Sequence, residues 1–144
     1  MRMIPYYLML LLITTACTSN LTDTIPNIKS WEIVKPNELN KNIQQAYKGN
    51  LTWVNKPELY VFNLIDLTNL RKIAYEYSAD NIESPKNIYI SIMRDGFLDD
   101  SVRGDIQKIK LSKNSKGKWK VISIKKAISC WRRDKLIYSS ELCP

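Results

Sequence analysis

Asp95-Gly96-Phe97-Leu98-Asp99-Asp100-Ser101 is the one acidic cluster of this sequence. Carboxylates this close could bind a hard cation such as calcium or divide acid and base roles between them. The calcium-loop order Asp-x-Asp-x-Asp-Gly is absent, however, and Asp, Gly and Ser are also the residues of tight turns that hydrogen-bond their own backbone. The segment reads as turn chemistry, with Arg103 as the expected ion-pair partner of Asp99 or Asp100; catalysis or cation binding at Asp95, Asp99 or Asp100 is the alternative. The 144 residues include no histidine. That excludes an imidazole general base, Ser-His-Asp and Cys-His arrangements, and His-ligated zinc or haem. Phosphate-binding glycine loops and the Gly-x-Ser-x-Gly elbow are missing as well. Neither a catalytic centre, a metal nor a cofactor is expected.

Cations form the other candidate site. The chain has 22 Lys+Arg against 14 Asp+Glu, a net charge of +8, and the excess is confined to one end. Residues 101–144 carry a net +9, whereas residues 17–100 carry −2. Lys108, Lys110, Lys118 and Lys120, followed by Arg132 and Arg133, are the candidate binding residues, with Lys125, Lys126 and Lys135 adding to the same basic stretch. Such a patch attracts phosphates, carboxylated glycans or an acidic protein. The competing reading is a solvated face whose edge lysines discourage strand-to-strand aggregation.

The N-terminus says where this patch operates. Arg2 precedes an apolar run from Ile4 to Ile13, and small residues end at Ala16; this is the layout of an export signal. The run is shorter than the roughly 20 residues of a membrane-spanning helix. Thr14-Thr15-Ala16-Cys17 resembles the lipobox of bacterial lipoproteins, departing from it at Thr14, where an aliphatic residue is usual. The resemblance implies cleavage before Cys17 and lipidation of that residue, and several acyl chains on one residue satisfy what stable anchoring needs. By the same resemblance, Thr18 after the Cys implies the outer membrane, with the domain facing the periplasm.

Assigning Cys17 to lipid leaves Cys130 and Cys143, which allow one pairing. In an oxidising compartment a disulfide is the expected state. The two lack the Cys-x-x-Cys spacing of exchange centres and the ligand set of a zinc site, so the expected role is a structural staple.

These groups must be positioned by a single domain. Residues 1–16 are the expected signal peptide, 17–30 a lipidated flexible tether rich in Thr, Ser, Asn and Pro, and 31–144 the folded part. Leu39, Ile43, Ala46 and Tyr47 recur at helical spacing after Pro36, with Gly49 as the stop. A second helix is expected from Pro57, with Leu59, Phe62 and Ile65 on its inner side. Beyond Asn69 the period becomes two: Ile73, Tyr75 and Tyr77 on one strand, Ile88, Ile90 and Ile92 on the next, then strands near Val102–Lys113 and Gly117–Ile128 joined by Asn114-Ser115-Lys116. That loop would set Leu111 opposite Trp119, Ile109 opposite Val121 and Lys110 opposite Lys120. Parity then breaks, because Ile122 and Ile124 fall on the other face, which implies a bulge near Ser123 or a change of packing surface. The expected fold is α+β: two short N-terminal helices on a curled antiparallel sheet of about four strands, with a C-terminal disulfide loop.

Asp99-Asp100-Ser101-Val102-Arg103-Gly104, Gly117-Lys118-Trp119-Lys120-Val121, Cys130-Trp131 and the terminal Cys143-Pro144 together resemble the C-terminal half of a group of uncharacterised bacterial envelope proteins. Trp53 with Pro57 is similar to that group's Trp-x-x-x-Pro segment. Where the group commonly has Gly-Arg-Gly after the first paired Cys, this chain has Arg132-Arg133-Asp134. The resemblance implies one stapled domain and brings no activity. The expected function is therefore a non-catalytic binding or structural module, anchored to the membrane by lipid. Its partner would be an acidic envelope protein or an anionic envelope polymer, and not nucleic acid, which an exported protein does not normally meet. An inhibitor or immunity-type lipoprotein that blocks an acidic enzyme cleft is the alternative.

Overall fold

Alternating isoleucines build the centre of the sheet. In this computed structural model, which describes residues 26–133 and 135–144, β4 (Asn87–Asp95) buries Ile88, Ile90 and Ile92 on one face. It is flanked antiparallel by β3 (Lys72–Ala79) and β5 (Val102–Lys113). β6 (Trp119–Cys130) pairs with β5, and β2 (Glu32–Val34) closes the sheet in the order β2-β6-β5-β4-β3. The fold is α+β as expected, but the sheet has five strands rather than about four. β2 has only three residues, too few for alternation to register in the sequence. The export leader, Cys17 and the first part of the tether lie outside the described residues. Asn27–Ile28 (β1), on the tether side of the expected boundary, pair in parallel with β7 (Ile137–Tyr138), and Ile28 packs against buried Tyr138.

The helices cover one face. α1 (Asn37–Lys48) buries Ile43 and Ala46, and its buried Asn40 donates to the Val121 carbonyl and accepts from the Val121 N–H, both at 2.9 Å. One amide thus fixes the helix to a single rung of β6. Pro57–Leu59 form a 3₁₀ turn that continues into α2 (Tyr60–Leu64). Its buried positions are Pro57, Tyr60 and Val61, while Phe62 is exposed. Of the expected apolar side, Ile65 packs against the main core and Leu59 is half-buried, but Phe62 is exposed, because the turn runs at three residues per revolution and advances the phase before the α-helical part begins.

The β5–β6 hairpin is closed by five residues, not three. Asn114 donates its N–H to the Lys118 carbonyl at 2.8 Å, its Oδ1 accepts from the Lys116 and Lys118 N–H groups, and Gly117 supplies a φ of 73°. A side chain can substitute for backbone partners in this way only because Asn is short and polar. The register is accordingly two residues from the expected one next to the hairpin, where Val121 stands opposite Leu111 and Trp119 opposite Lys113, and three residues from it beyond the bulge, where Ser123, not Lys120, stands opposite Lys110. Ile122 is then the extra residue of a bulge, exposed, so that Val121 and Ile124 both turn inward.

Two cores result. Ile43, Tyr60, Val61, the three β4 isoleucines, Ile109, Leu111, Trp119, Val121 and Ile124 lie under the helices. On the opposite face a smaller cluster joins Ile106, Ala127 and Tyr138 with Ile28, Trp31 and Met93. The Cys130–Cys143 disulfide, Cα–Cα 5.5 Å, ties the C-terminal segment over this second face.

Candidate binding groove

The small second core covers only part of its face. Beyond it, toward the hairpin, four strands contribute two adjacent cross-strand rows: Glu76, Ser91, Lys108 and Lys125 in one, Ser78, Tyr89, Lys110 and Ser123 in the next. All eight line a groove of about 440 Å³. The pleat explains the clustering, since residues two apart on a strand share a face roughly 7 Å apart and neighbouring strands are about 4.8 Å apart. Three ammonium groups, three hydroxyls and a phenol thus face one depression with a single carboxylate. The lysines are steered by aromatic rings: Lys108 Nζ sits 5.6 Å from the Trp31 ring centroid and Lys110 Nζ 5.5 Å from that of Tyr89. Ile33, opposite Lys125, and the bulge residue Ile122 give the rim exposed apolar surface. Cations held over aromatic faces with hydroxyls between them suit an anionic ligand that also offers hydroxyls or a ring face.

The basic residues expected to act together are dispersed. Lys108 and Lys110 are in the groove and Lys125 joins them. Lys120 lies on the same face one row nearer the hairpin, opposite Ser112. Lys118 sits in the hairpin loop with Nζ 5.0 Å from the Tyr47 ring centroid, on the helical side. Arg132 is exposed in the turn after Cys130. Arg133 is engaged by Ser139 Oγ at 2.9 Å and, at longer range, by Glu141 and the Leu142 carbonyl. Ser78, Ser91 and Ser123, together with Tyr89 and Glu76, carry no signal in the sequence, because only the register brings them to the lysines.

The acidic cluster organises a turn. Asp99 Oδ1 accepts from the Ser101 and Val102 N–H groups and the Ser101 hydroxyl at 2.6–2.8 Å, and these bonds, the Val102 one foremost, hold its carboxyl below the usual range. The carboxylate that Arg103 reaches is Asp95, at 2.8 Å, not Asp99 or Asp100. The reason is a second bulge: Arg103 is the extra residue between the Val102 and Gly104 pairings, and Gly104 stands opposite Asp95. The Asp95 hydrogen bond raises the pKa of Arg103. Arg103 and Arg71 each stack 5.4 Å from the Trp131 ring, whose Nε1 donates to the Asp99 carbonyl. The turn is thereby strapped to the start of the disulfide loop.

No family model, curated protein or solved structure matches this chain. Among the described residues no group of His, Cys, Asp and Glu could hold a metal ion, and no helix is long and apolar enough to cross a membrane.

Proposed function

We propose that this protein is a lipid-anchored binding module of the bacterial cell envelope, held by Cys17 and taking an anionic partner into the groove on the second face of its sheet. The supporting observation is the pair of adjacent rows that gathers Lys108, Lys110 and Lys125 around Tyr89 and three serine hydroxyls. An acidic envelope protein or an anionic envelope polymer offers the carboxylates or phosphates such a site recognises. Attraction of this kind is set by charge and falls with ionic strength. The role is binding without chemistry.

The test is in-cell crosslinking of the full chain, with identification of whatever is attached. Lys108→Glu with Lys110→Glu and Lys125→Glu should abolish capture of the partner while leaving the circular-dichroism spectrum unchanged; undiminished capture overturns the reading. Separately, Cys17→Ser should release the protein from membranes and end incorporation of labelled fatty acid.

A further inference from the structure

The two edges of the sheet are built differently. β2 is a three-residue edge, short enough to offer no template for another strand. β3 is eight residues long and, among the described residues, pairs with β4 alone and has no strand along its outer side. Ile73 is 43% and Tyr77 37% exposed on its helical face, and Phe62, beside Tyr75 at a ring distance of 5.6 Å, is 56% exposed. Long edges with apolar side chains are otherwise guarded.

The direction of the free backbone groups follows from the ladder. Asp80 donates to the Asn87 carbonyl and Lys113 to the Lys86 carbonyl, so odd-numbered residues of β4 bond to even-numbered residues of β3, since donors alternate sides along a strand. The N–H and C=O groups of Ile73, Tyr75, Tyr77 and Ala79 therefore point away from the sheet. An antiparallel partner must bond to these odd positions, which restricts a second copy of the same strand to registers that place odd residues opposite odd ones. Centred on Tyr75, the pairing leaves Lys72 opposite Ser78; centred on Glu76, it sets two glutamates face to face. Centred on Ala74, it sets Lys72 opposite Glu76 of the second copy twice, with Ile73 opposite Tyr75 twice on the helical face. Opposite charges and aromatic–aliphatic pairs are the favourable cross-strand combinations.

We infer that β3 is a self-recognition edge, through which two copies of this chain pair antiparallel about a two-fold axis at Ala74. The inference is independent of what the groove holds. Lys72 and Glu76 would impede an arbitrary strand, and they fit a second copy of their own. An eight-residue edge is smaller than the roughly 1,200 Å² of a standard stable complex, so the dimer is reversible. It also joins the two grooves side by side, with Lys72 of each copy meeting Glu76, the one carboxylate in the other's lining.

Ala74 is at a position where facing Cα atoms are about 4.5 Å apart, within the range a disulfide spans. In cells expressing the full chain, Ala74→Cys should give crosslinked dimer far above the parent background, and Ser78→Cys should not. Added to Ala74→Cys, either Lys72→Glu or Glu76→Lys should lower the crosslinked fraction about tenfold, and both together should restore it. Because a new thiol could mispair with Cys130 or Cys143, the same charge series is also read on the full chain with native cysteines, by sedimentation in detergent. Dimer lost in each single variant and regained in the double supports the pairing. Monomer in the parent at high micromolar concentration, or indifference to the charge variants, overturns it.

Discussion

Arg94 on β4 and Asp105 on β5 face each other directly and close a two-point ion pair, Nε to Oδ1 at 2.9 Å and Nη2 to Oδ2 at 2.6 Å. Asp105 is fully buried, and its Oδ2 also accepts from Gln107. Arg94 spends its remaining amino group on the Asp66 carbonyl at 2.8 Å and stacks 5.1 Å from the Phe97 ring. One position further along the same strands, Arg103 on β5 and Asp95 on β4 repeat the arrangement with donor and acceptor exchanged. Two reciprocal clasps therefore lock the end of the β4–β5 ladder from which the Asp99 turn departs.

The first clasp has an asymmetric cost. Asp105→Leu alone leaves a mostly buried guanidinium without its counter-charge and should destabilise the domain by about 3–5 kcal/mol, whereas the same change combined with Arg94→Met should lose much less. Urea unfolding of the two single variants and the double variant measures this. A strictly additive double variant would mean that the two residues act separately.

Asp105 also illustrates what the sequence conceals. It occupies the inward parity of β5 with Gln107, Ile109 and Leu111, so an acid on the core side was legible, yet its partner lies on another strand. The isoleucine triplet of β4 and the helical spacing from Leu39 to Tyr47 identify their elements because each pattern is local. β2 is not legible, since three residues make no period. The register is not legible because Asn114 closes a five-residue loop with its own side chain, nor is the groove, its eight groups being placed by three strand registers at once. The parity break at Ile122 was legible because it contradicts alternation within one strand, whatever the partner.

The Asp99 turn should respond to acid. Its hydrogen-bonded carboxylate titrates below its unfolded value, so the group contributes stability above roughly pH 4, and that contribution is lost as pH falls through the lower folded value. The protection of the Ser101 and Val102 amides, taken relative to intrinsic exchange at each pH, should therefore fall below about pH 4. Asp99→Asn, which keeps an acceptor oxygen but does not titrate there, should keep a constant protection factor across that range. Asp99→Ala should exchange fast at every pH.

Removal of the staple should act locally before it acts globally. Cys130 is buried at the end of β6, and the loop it closes contains β7, which pairs with β1 and supplies Tyr138 to the second core. Cys130→Ser with Cys143→Ser should cost roughly 3 kcal/mol for a loop of this length. Hydrogen exchange should show the loss first in β7 and β1, with β4 and β5 protected until global unfolding. Equal loss of protection in β4 would mean that the second core does not open independently.

The β6 bulge allows two deletions to be ranked against intuition. Removing Ile122 leaves Val121 inward, Ser123 outward and Ile124 inward, which is regular alternation, so the bulge disappears and both faces keep their residues. Removing Lys120, an exposed lysine, instead makes Trp119 and Val121 consecutive and forces one of these two buried side chains onto the open face. Exposing such a side chain costs about 1.5–3 kcal/mol, before any loss from the Asn40 clamp on Val121. The Ile122 deletion should therefore fold with a melting temperature near that of the parent, and the Lys120 deletion should melt well below it. Thermal unfolding of the pair decides the matter: a reversed order would show that the extra residue is needed for closure of the hairpin and not merely accommodated by it.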